Sequence, residues 1–137
     1  MNLEAELIAK YSEGVLDFSG LNLAESNFSS INLSGINLSK SNLSVANLSG
    51  INLSKANLTN AQMNVARLSG ANLTDAILNG CSLNVANLVR ADLTNANLTN
   101  TSFVHANLTQ AKLIKVEWNG ADLSGATLTG AKLHGTH

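Results

Sequence analysis

Hydrophobic residues recur with a period of five along almost the whole chain. From Phe18 to Leu133 every fifth residue is Leu, Phe, Met or Trp, at 24 positions without an insertion or deletion. Two residues before each of them lies a small or aliphatic residue, most often Ala, and Asn or Asp commonly separates the two. Ser or Thr usually follows the large residue, and a variable residue that is often Gly completes the unit. The pattern therefore predicts a repeated five-residue unit with two inward positions.

A period of five fits neither an α-helix nor a straight strand. Five helical residues turn through roughly 500°, so successive large residues would spiral around the whole surface. Side chains of a strand alternate between two faces, and an odd period would send successive large residues to opposite sides. A chain that bends once per unit keeps both apolar positions inside, and Ser, Thr, Asn and Gly suit such turns. We therefore predict an all-β coil.

A weaker recurrence of twenty residues sets the size of one coil. The stretch "NVARLSG" at 64–70 returns as "NVANLVR" at 84–90, which indicates four units per coil and a quadrilateral cross-section. The 24 units then make about six coils, stacked at about 4.8 Å into a rod. One side of the predicted core is a ladder of Phe18, Leu38, Leu58, Leu78, Leu98 and Trp118.

Polar residues and the lack of proline fit a stack of coils. The chain contains no proline, which would remove a backbone donor from the stack. Asn or Asp recurs between the two inward positions, and aligned Asn side chains are expected to bond to each other along the stack as amide ladders.

The tandem A(N/D)LXX pattern resembles the pentapeptide-repeat family over Leu16 to Gly135. This resemblance implies a right-handed quadrilateral β-helix, and the handedness is taken from the family alone. The opening "LIAKYSEGVLDFSGLNL" is similar to cyanobacterial members that begin with a short N-terminal capping helix. The resemblance indicates the fold far more specifically than the function.

The ends of the chain are expected to differ. We predict an N-terminal capping helix at 1–15, the β-helix at 16–135 and a tail at 136–137, with Asn2 as N-cap and Gly14 as the helix stop. The residues of the cap that share one helical face are Leu3, Leu7, Ile8 and Tyr11.

The C-terminal end has no second helix in the sequence and is expected to be an uncapped edge. Resemblance to family members that dimerise end to end implies a homodimer through this end. Lys132 and His134 near the edge would instead deter pairing, as edge charges do. Both outcomes stay open.

Composition and charge indicate a protein without catalytic chemistry. The net charge is −1 with 12% charged residues, so no phosphate-binding surface and no nucleic-acid partner are expected. The single cysteine, Cys81, occupies a small inward position and is expected to be buried. His105 lies far from His134 and His137, and no phosphate loop or metal cluster is visible. We therefore predict no enzyme activity, no catalytic, cofactor-binding or metal-binding residue, no cofactor and no small-molecule substrate.

The sequence also bears on location and on surface ion pairs. The N-terminus lacks the pattern of a secretory signal and no apolar run is long enough to span a membrane, so a cytoplasmic protein without membrane contact is expected. Lys55 with Asp75, and Asp92 with Lys112, are spaced as stacked neighbours and are predicted to form surface ion pairs.

One outward column is unusually apolar. Val45, Val65 and Val85 are spaced by twenty, with Val104 beside them. Contiguous exposed apolar surface often marks a partner-binding site, so these residues are a candidate stripe. The alternative is that β-branched residues suit strands and pack on one another across coils.

Three functions are compatible with these features. The first is a scaffold or protein-interaction module with an unknown protein partner. The second is implied by a family branch that mimics duplex DNA and binds type II topoisomerases such as gyrase, although mimicry needs a strongly negative surface. The third and weakest is ice or surface binding through Ser/Thr ladders, for which a regular Thr array is absent.

Overall fold

The chain folds as one short helix followed by a continuous coil. The computed structural model describes residues 2–137, in which helix α1 spans Leu3–Ser12. Twenty isolated parallel bridges follow, and each joins a residue to the one twenty positions later, from Asp17↔Asn37 to Lys112↔Lys132. A bridge recurs every five residues, so each turn of the coil has four sides and twenty residues.

The described residues contain no extended strand, which refines the all-β prediction. The fifth residue of each unit, here called the corner position, has a positive φ in every unit from Gly20 to Gly135. Because the backbone turns into the left-handed region every fifth residue, an extended stretch ends before a second bridge can form. The coil is therefore held by single bridges rather than by strands.

Backbone hydrogen bonds join each coil to both of its neighbours. In the middle of the stack the N–H of Leu73 donates to Asp92 O at 2.7 Å, and the N–H of Asn72 donates to Ile51 O at 2.9 Å. The same two bonds recur along the coil, at nearly every unit. This use of successive donors explains physically why proline is absent.

The core is a narrow column of Leu and Ala at the centre of the coil. In the predicted ladder, Phe18, Leu38, Leu58, Leu78 and Leu98 are buried. Trp118 is only partly buried and packs against the core. The difference arises because Trp118 lies in the last coil within residues 2–137, so no coil of the described residues covers it.

Apart from Ser26, whose Oγ donates to Leu23 O at 2.6 Å, polar residues at the small inward position are satisfied by one recurring bond. Ser41 Oγ donates to Phe18 O at 3.2 Å, and Thr101 Oγ1 donates to Leu78 O at 2.7 Å. Cys81 Sγ makes the equivalent bond to Leu58 O at 2.7 Å. In each case the acceptor lies 23 residues earlier in the chain.

The burial of Cys81 predicts an unreactive thiol. Burial raises the pKa of Cys81 to about 12, so at pH 8 only about one thiol in ten thousand is ionised in the folded state. We expect no reaction with a disulfide reagent such as DTNB in native buffer and complete reaction in denaturant. Stoichiometric labelling of the folded protein at pH 8 would contradict this burial.

Both ends of α1 are capped as the sequence predicts. Asn2 Oδ1 accepts a hydrogen bond from Ala5 N at 2.7 Å. At the other end Gly14, with φ of 97°, donates to Tyr11 O at 2.9 Å, and Val15 N donates to Lys10 O at 3.1 Å. This pair of bonds is a Schellman motif, which needs a residue with positive φ such as glycine at its centre.

The predicted cap residues pack on the coil unequally. Leu7 is buried, whereas Ile8 and Tyr11 are partly buried against the core. The Tyr11 hydroxyl donates to Ser34 O at 2.7 Å and so ties the helix to the coil. Leu3 departs from the prediction because it is 40% exposed, at an open groove between the first turn of α1 and the first coil.

Asn side chains are used within their own unit rather than as ladders between coils. Asn72 Oδ1, for example, accepts from Thr74 N at 3.0 Å and from Thr74 Oγ1 at 2.8 Å. This Asx turn holds the chain as it approaches the corner. A bond between coils that resembles the predicted amide ladder joins Asn37 Nδ2 to Asp17 Oδ1 at 3.3 Å. The ladder prediction is therefore wrong for most of the Asn residues.

Candidate interaction surface

Three valines form an exposed row along one corner of the rod. Val45, Val65 and Val85 follow one another at corner positions and are 47%, 49% and 56% exposed. We call these three residues the valine column. Glu25 and His105 occupy the same corner on either side of it. The column is thus an apolar row with a polar residue at each end.

The valines lie on strained backbone. Their φ angles are 63°, 62° and 61° at Val45, Val65 and Val85 respectively. A β-branched residue in the left-handed region is a genuine outlier, and this conformation costs roughly 1–2 kcal/mol per residue. The strand part of the alternative does not apply, since none of these valines lies in an extended segment, whereas packing across coils is compatible with their positions.

Val104 does not belong to this column. It lies one residue before a corner, is half-buried, and has no positive φ. Its N–H donates to Asn84 Oδ1 at 3.0 Å. The predicted stripe therefore consists of the three corner valines alone.

One flank of the valine column is held by two asparagines. Asn64 Oδ1 accepts from Asn84 N at 3.0 Å, one coil further on, and Asn84 Oδ1 in turn accepts from Val104 N. In most units an Asn two residues earlier accepts this backbone N–H. The units of Asn84 and Val104 have Ser82 and Ser102 at that place, so the N–H bonds to an asparagine of the preceding coil instead. Among residues 2–137 the side-chain nitrogens of Asn64 and Asn84 donate no hydrogen bond, so amide donors remain beside the valines.

The other flank carries a cation. Arg67 is exposed and lies two residues after Val65, at the start of the next side of the coil. In the described part of the chain the one ion pair joins Lys10 to Glu6 at 3.2 Å, so Arg67 has no carboxylate partner there. The site is therefore an apolar row with hydrogen-bond donors on one flank and positive charge on the other.

The predicted ion pairs on the rod do not form. Lys55 and Asp75, and likewise Asp92 and Lys112, lack an ion pair within residues 2–137. Asp92 Oδ1 instead accepts from Thr94 N at 3.0 Å and from Thr94 Oγ1 at 2.6 Å. Its carboxylate is drawn into an Asx turn, as in most other units.

Thr hydroxyls are also engaged within the rod. Five of them donate to the Asn or Asp two residues earlier, namely those of Thr59, Thr74, Thr94, Thr99 and Thr109. Because these protons are already used, the hydroxyls present no regular array of free donors to a surface. This arrangement counts against binding of ice through these five Thr residues.

Metal clusters and membrane spans are absent from the part of the chain that the structure describes. Residues 2–137 contain no group of three or more His, Cys, Asp or Glu side chains arranged to hold a metal ion. Within the same residues no helix has the length and apolar character needed to cross a membrane.

Family comparison identifies the repeat. The family model described as "Pentapeptide repeats" matches eight copies, in overlapping segments that together cover residues 17–137. The matched segments are 17–50, 31–70, 46–84, 66–103 and 101–137. No curated protein matches the chain in sequence.

Solved structures share the architecture. A pentapeptide repeat protein from the thylakoid lumen of Arabidopsis thaliana is 33% identical, with a TM-score of 0.69 over 71% of this chain and 68% of that one. Rfr23 from the cyanobacterium Cyanothece 51142 is 26% identical, with a TM-score of 0.58 over 99% and 96% of the two chains. QnrB1, a plasmid-mediated fluoroquinolone resistance protein, is 22% identical, with a TM-score of 0.72 over 89% and 72%. These neighbours imply a right-handed quadrilateral β-helix.

Proposed function

The chain belongs to the pentapeptide-repeat family, and from this premise we propose that it is a non-catalytic interaction protein that binds a protein partner along the valine column. Proteins of this family are generally non-catalytic structural or interaction proteins. The single observation that carries the proposal is the exposure of three β-branched residues on left-handed corners. Strained residues persist where the surrounding structure holds them, and they concentrate at functional sites.

The flanks of the column suggest the chemistry of the partner. A partner segment with an apolar row would cover Val45, Val65 and Val85. Its backbone carbonyls or side-chain oxygens would accept from the amides of Asn64 and Asn84, and a carboxylate would pair with Arg67. Apolar contacts of this kind supply most of the affinity, whereas the flanking polar groups set orientation and specificity.

Affinity capture with matched variants tests the proposal. In the test variant Val45, Val65 and Val85 are replaced together by Asn, which is polar and tolerates the left-handed corner. The control variant is Ser30→Asn with Lys55→Asn and Asp75→Asn, which changes three corners elsewhere and leaves the net charge unchanged. We expect the valine variant to capture at least tenfold less partner from source cells than the parent does. The control should capture as much as the parent. Undiminished capture by the valine variant would rule out this site.

The finer architecture and assembly form part of the proposal. We propose about six right-handed coils, since bridges at a spacing of twenty continue from Asp17 to Lys132. A homodimer through the C-terminal end is supported by the apolar surface there, where Leu133 is 45% exposed and Trp118 only partly buried. Lys132 near the same edge opposes pairing, so the contact would have to accommodate its charge. A cytoplasmic location is part of the same proposal.

The topoisomerase alternative gains little from the comparisons. The 22% identity to QnrB1 shows a shared fold and carries no argument about partners. Mimicry of DNA would require a surface that is negative along its length. Lys40, Lys55, Arg67 and Arg90 instead interrupt the middle of this rod with positive charge.

A further inference from the structure

A cationic hollow lies one corner along from the valine column, towards the C-terminal end of the rod. It is lined by Arg90, Gln110, Lys112, Gly130 and Lys132, and we call this group the cationic hollow. Arg90, Gln110 and Gly130 follow one another along a corner, and Lys112 and Lys132 follow one another on the adjacent side. Successive residues of each row are twenty apart in sequence, so three coils contribute to one site.

The guanidinium of Arg90 is hydrogen-bonded to an exposed neighbour in the hollow. Arg90 Nε donates to Gln110 Oε1 at 2.9 Å. This bond uses only one of the five N–H groups of the guanidinium, so the terminal groups remain for a ligand. Gly130 keeps the space open, since a Cβ there would lie 3.2 Å from Cγ of Gln110.

The two lysines face each other without a neutralising carboxylate. Lys112 and Lys132 are a bridged pair, and no other bridge between Asp17 and Lys132 joins two like charges. Like charges directly opposite each other across neighbouring chain segments are destabilising. Asp92 precedes Lys112 in the same row, but its Oδ1 is held by Thr94 and it forms no ion pair within residues 2–137.

We propose that the cationic hollow binds a phosphate group that carries two negative charges. The guanidinium provides paired donors that match the geometry of phosphate oxygens, and the two ammonium groups provide point charges on either side. A bound dianion would also relieve the repulsion between Lys112 and Lys132. The same chemistry fits free phosphate or pyrophosphate and a phosphorylated side chain of a protein.

A single hollow suits one phosphate group better than a nucleic-acid backbone. A nucleic acid places one negative charge on each successive phosphate and is bound by a row of cations. The next coils towards the N-terminus have Gly70 and Gly50 at the corner of Arg90, and Asn72 and Asn52 in the row of Lys112. Along these two rows the positive charge is therefore confined to the hollow, and the rows do not form a cationic track.

Titration calorimetry on the full chain tests the site with four probes. The probes are inorganic phosphate, pyrophosphate, a phosphoserine peptide and its unphosphorylated counterpart. The test variant is Lys112→Gln with Lys132→Gln, and Lys40→Gln with Lys55→Gln removes the same charge elsewhere. We expect saturable one-to-one binding of at least one phosphate-bearing probe. The test variant should weaken that binding at least tenfold, and the control should weaken it less than twofold.

The relative affinity of the probes identifies the source of the phosphate. Tighter binding of phosphate or pyrophosphate indicates a free anion, and tighter binding of the phosphopeptide indicates a phosphorylated protein. Equal weakening by the test and control variants would overturn the proposal, because it would show attraction by overall charge alone. The proposal would also be overturned if no phosphate-bearing probe bound saturably. It would be overturned as well if the two peptides both bound and did so with equal affinity.

A thermal melt provides a second readout that does not depend on the choice of ligand. In phosphate-free buffer the test variant should melt at a higher temperature than the parent, since the repulsion between the lysines is gone. Saturating pyrophosphate should raise the melting temperature of the parent and not that of the test variant. A lower melting temperature of the test variant in phosphate-free buffer would contradict the unrelieved repulsion on which the site rests.

Discussion

Leu73→Pro is expected to unfold the middle of the rod. Leu73 is fully buried, and its N–H donates to Asp92 O in the next coil at 2.7 Å. Proline removes this donor and leaves the carbonyl of Asp92 without its partner in the neighbouring coil, at a cost of about 1–3 kcal/mol. Loss of the leucine side chain adds about 2–5 kcal/mol through lost burial and a cavity. The sum approaches the whole stability of a typical domain, about 5–15 kcal/mol.

Leu73→Ala separates the two causes. Alanine empties the same part of the core but keeps the backbone donor, so it should lower the free energy of unfolding by the cavity term alone. Urea denaturation followed by circular dichroism measures both variants. Hydrogen exchange should show that Leu73→Pro loses protection in the coils on either side of residue 73. Equal stability of the two variants would mean that the bond between coils contributes nothing measurable.

The five-residue period was enough to predict the coil from the sequence. Only a regularly cornering backbone directs both apolar positions of such a unit inward, and the twenty-residue recurrence set four sides per turn. The bridge of each middle residue to the one twenty positions later follows this prediction. The cap could be read as well, because Asn2 and Gly14 have local roles that do not depend on tertiary contacts.

The use of individual polar side chains could not be read from the period. An Asn such as Asn72 can bond along the stack or to its own turn, and both choices produce the same sequence pattern. The turn wins because Thr74 N is two residues away and always in reach, whereas a neighbouring coil must supply a matched partner. Asp92 follows the same rule: its carboxylate accepts from Thr94 N and therefore does not pair with Lys112.

The two candidate sites could be predicted from the sequence to different degrees. The strain at Val65 was indicated by the sequence, since many units have Gly at the same position and Gly is typical of a positive φ. The sequence signal for the cationic hollow was weaker, because Arg90 and Lys112 lie on different sides of the coil and meet only across a corner. Net charge alone predicts no phosphate site, whereas the proposed hollow depends on stacking, which brings together charges that are twenty residues apart.

Replacing the valine column with Asn should stabilise the protein while it abolishes partner binding. Each valine contributes about 1–2 kcal/mol of backbone strain, which Asn largely relieves. Neighbouring residues of the column are twenty apart in sequence, and any packing between them would oppose this gain by about 0.2–1 kcal/mol per pair. We expect the triple variant to raise the free energy of unfolding by roughly 2 kcal/mol, measured by urea denaturation.

Val89→Asn is the matched control because it changes the same residue type on unstrained backbone. Val89 has no positive φ, is half-buried, and its N–H donates to Asn87 Oδ1 at 3.0 Å. It should therefore not gain stability. If the triple variant were less stable than the parent, the valines would be retained for packing, and the link from strain to function would fail. A gain in stability together with retained capture would show that strain is relieved without consequence for binding, so the partner would have to bind elsewhere on the rod.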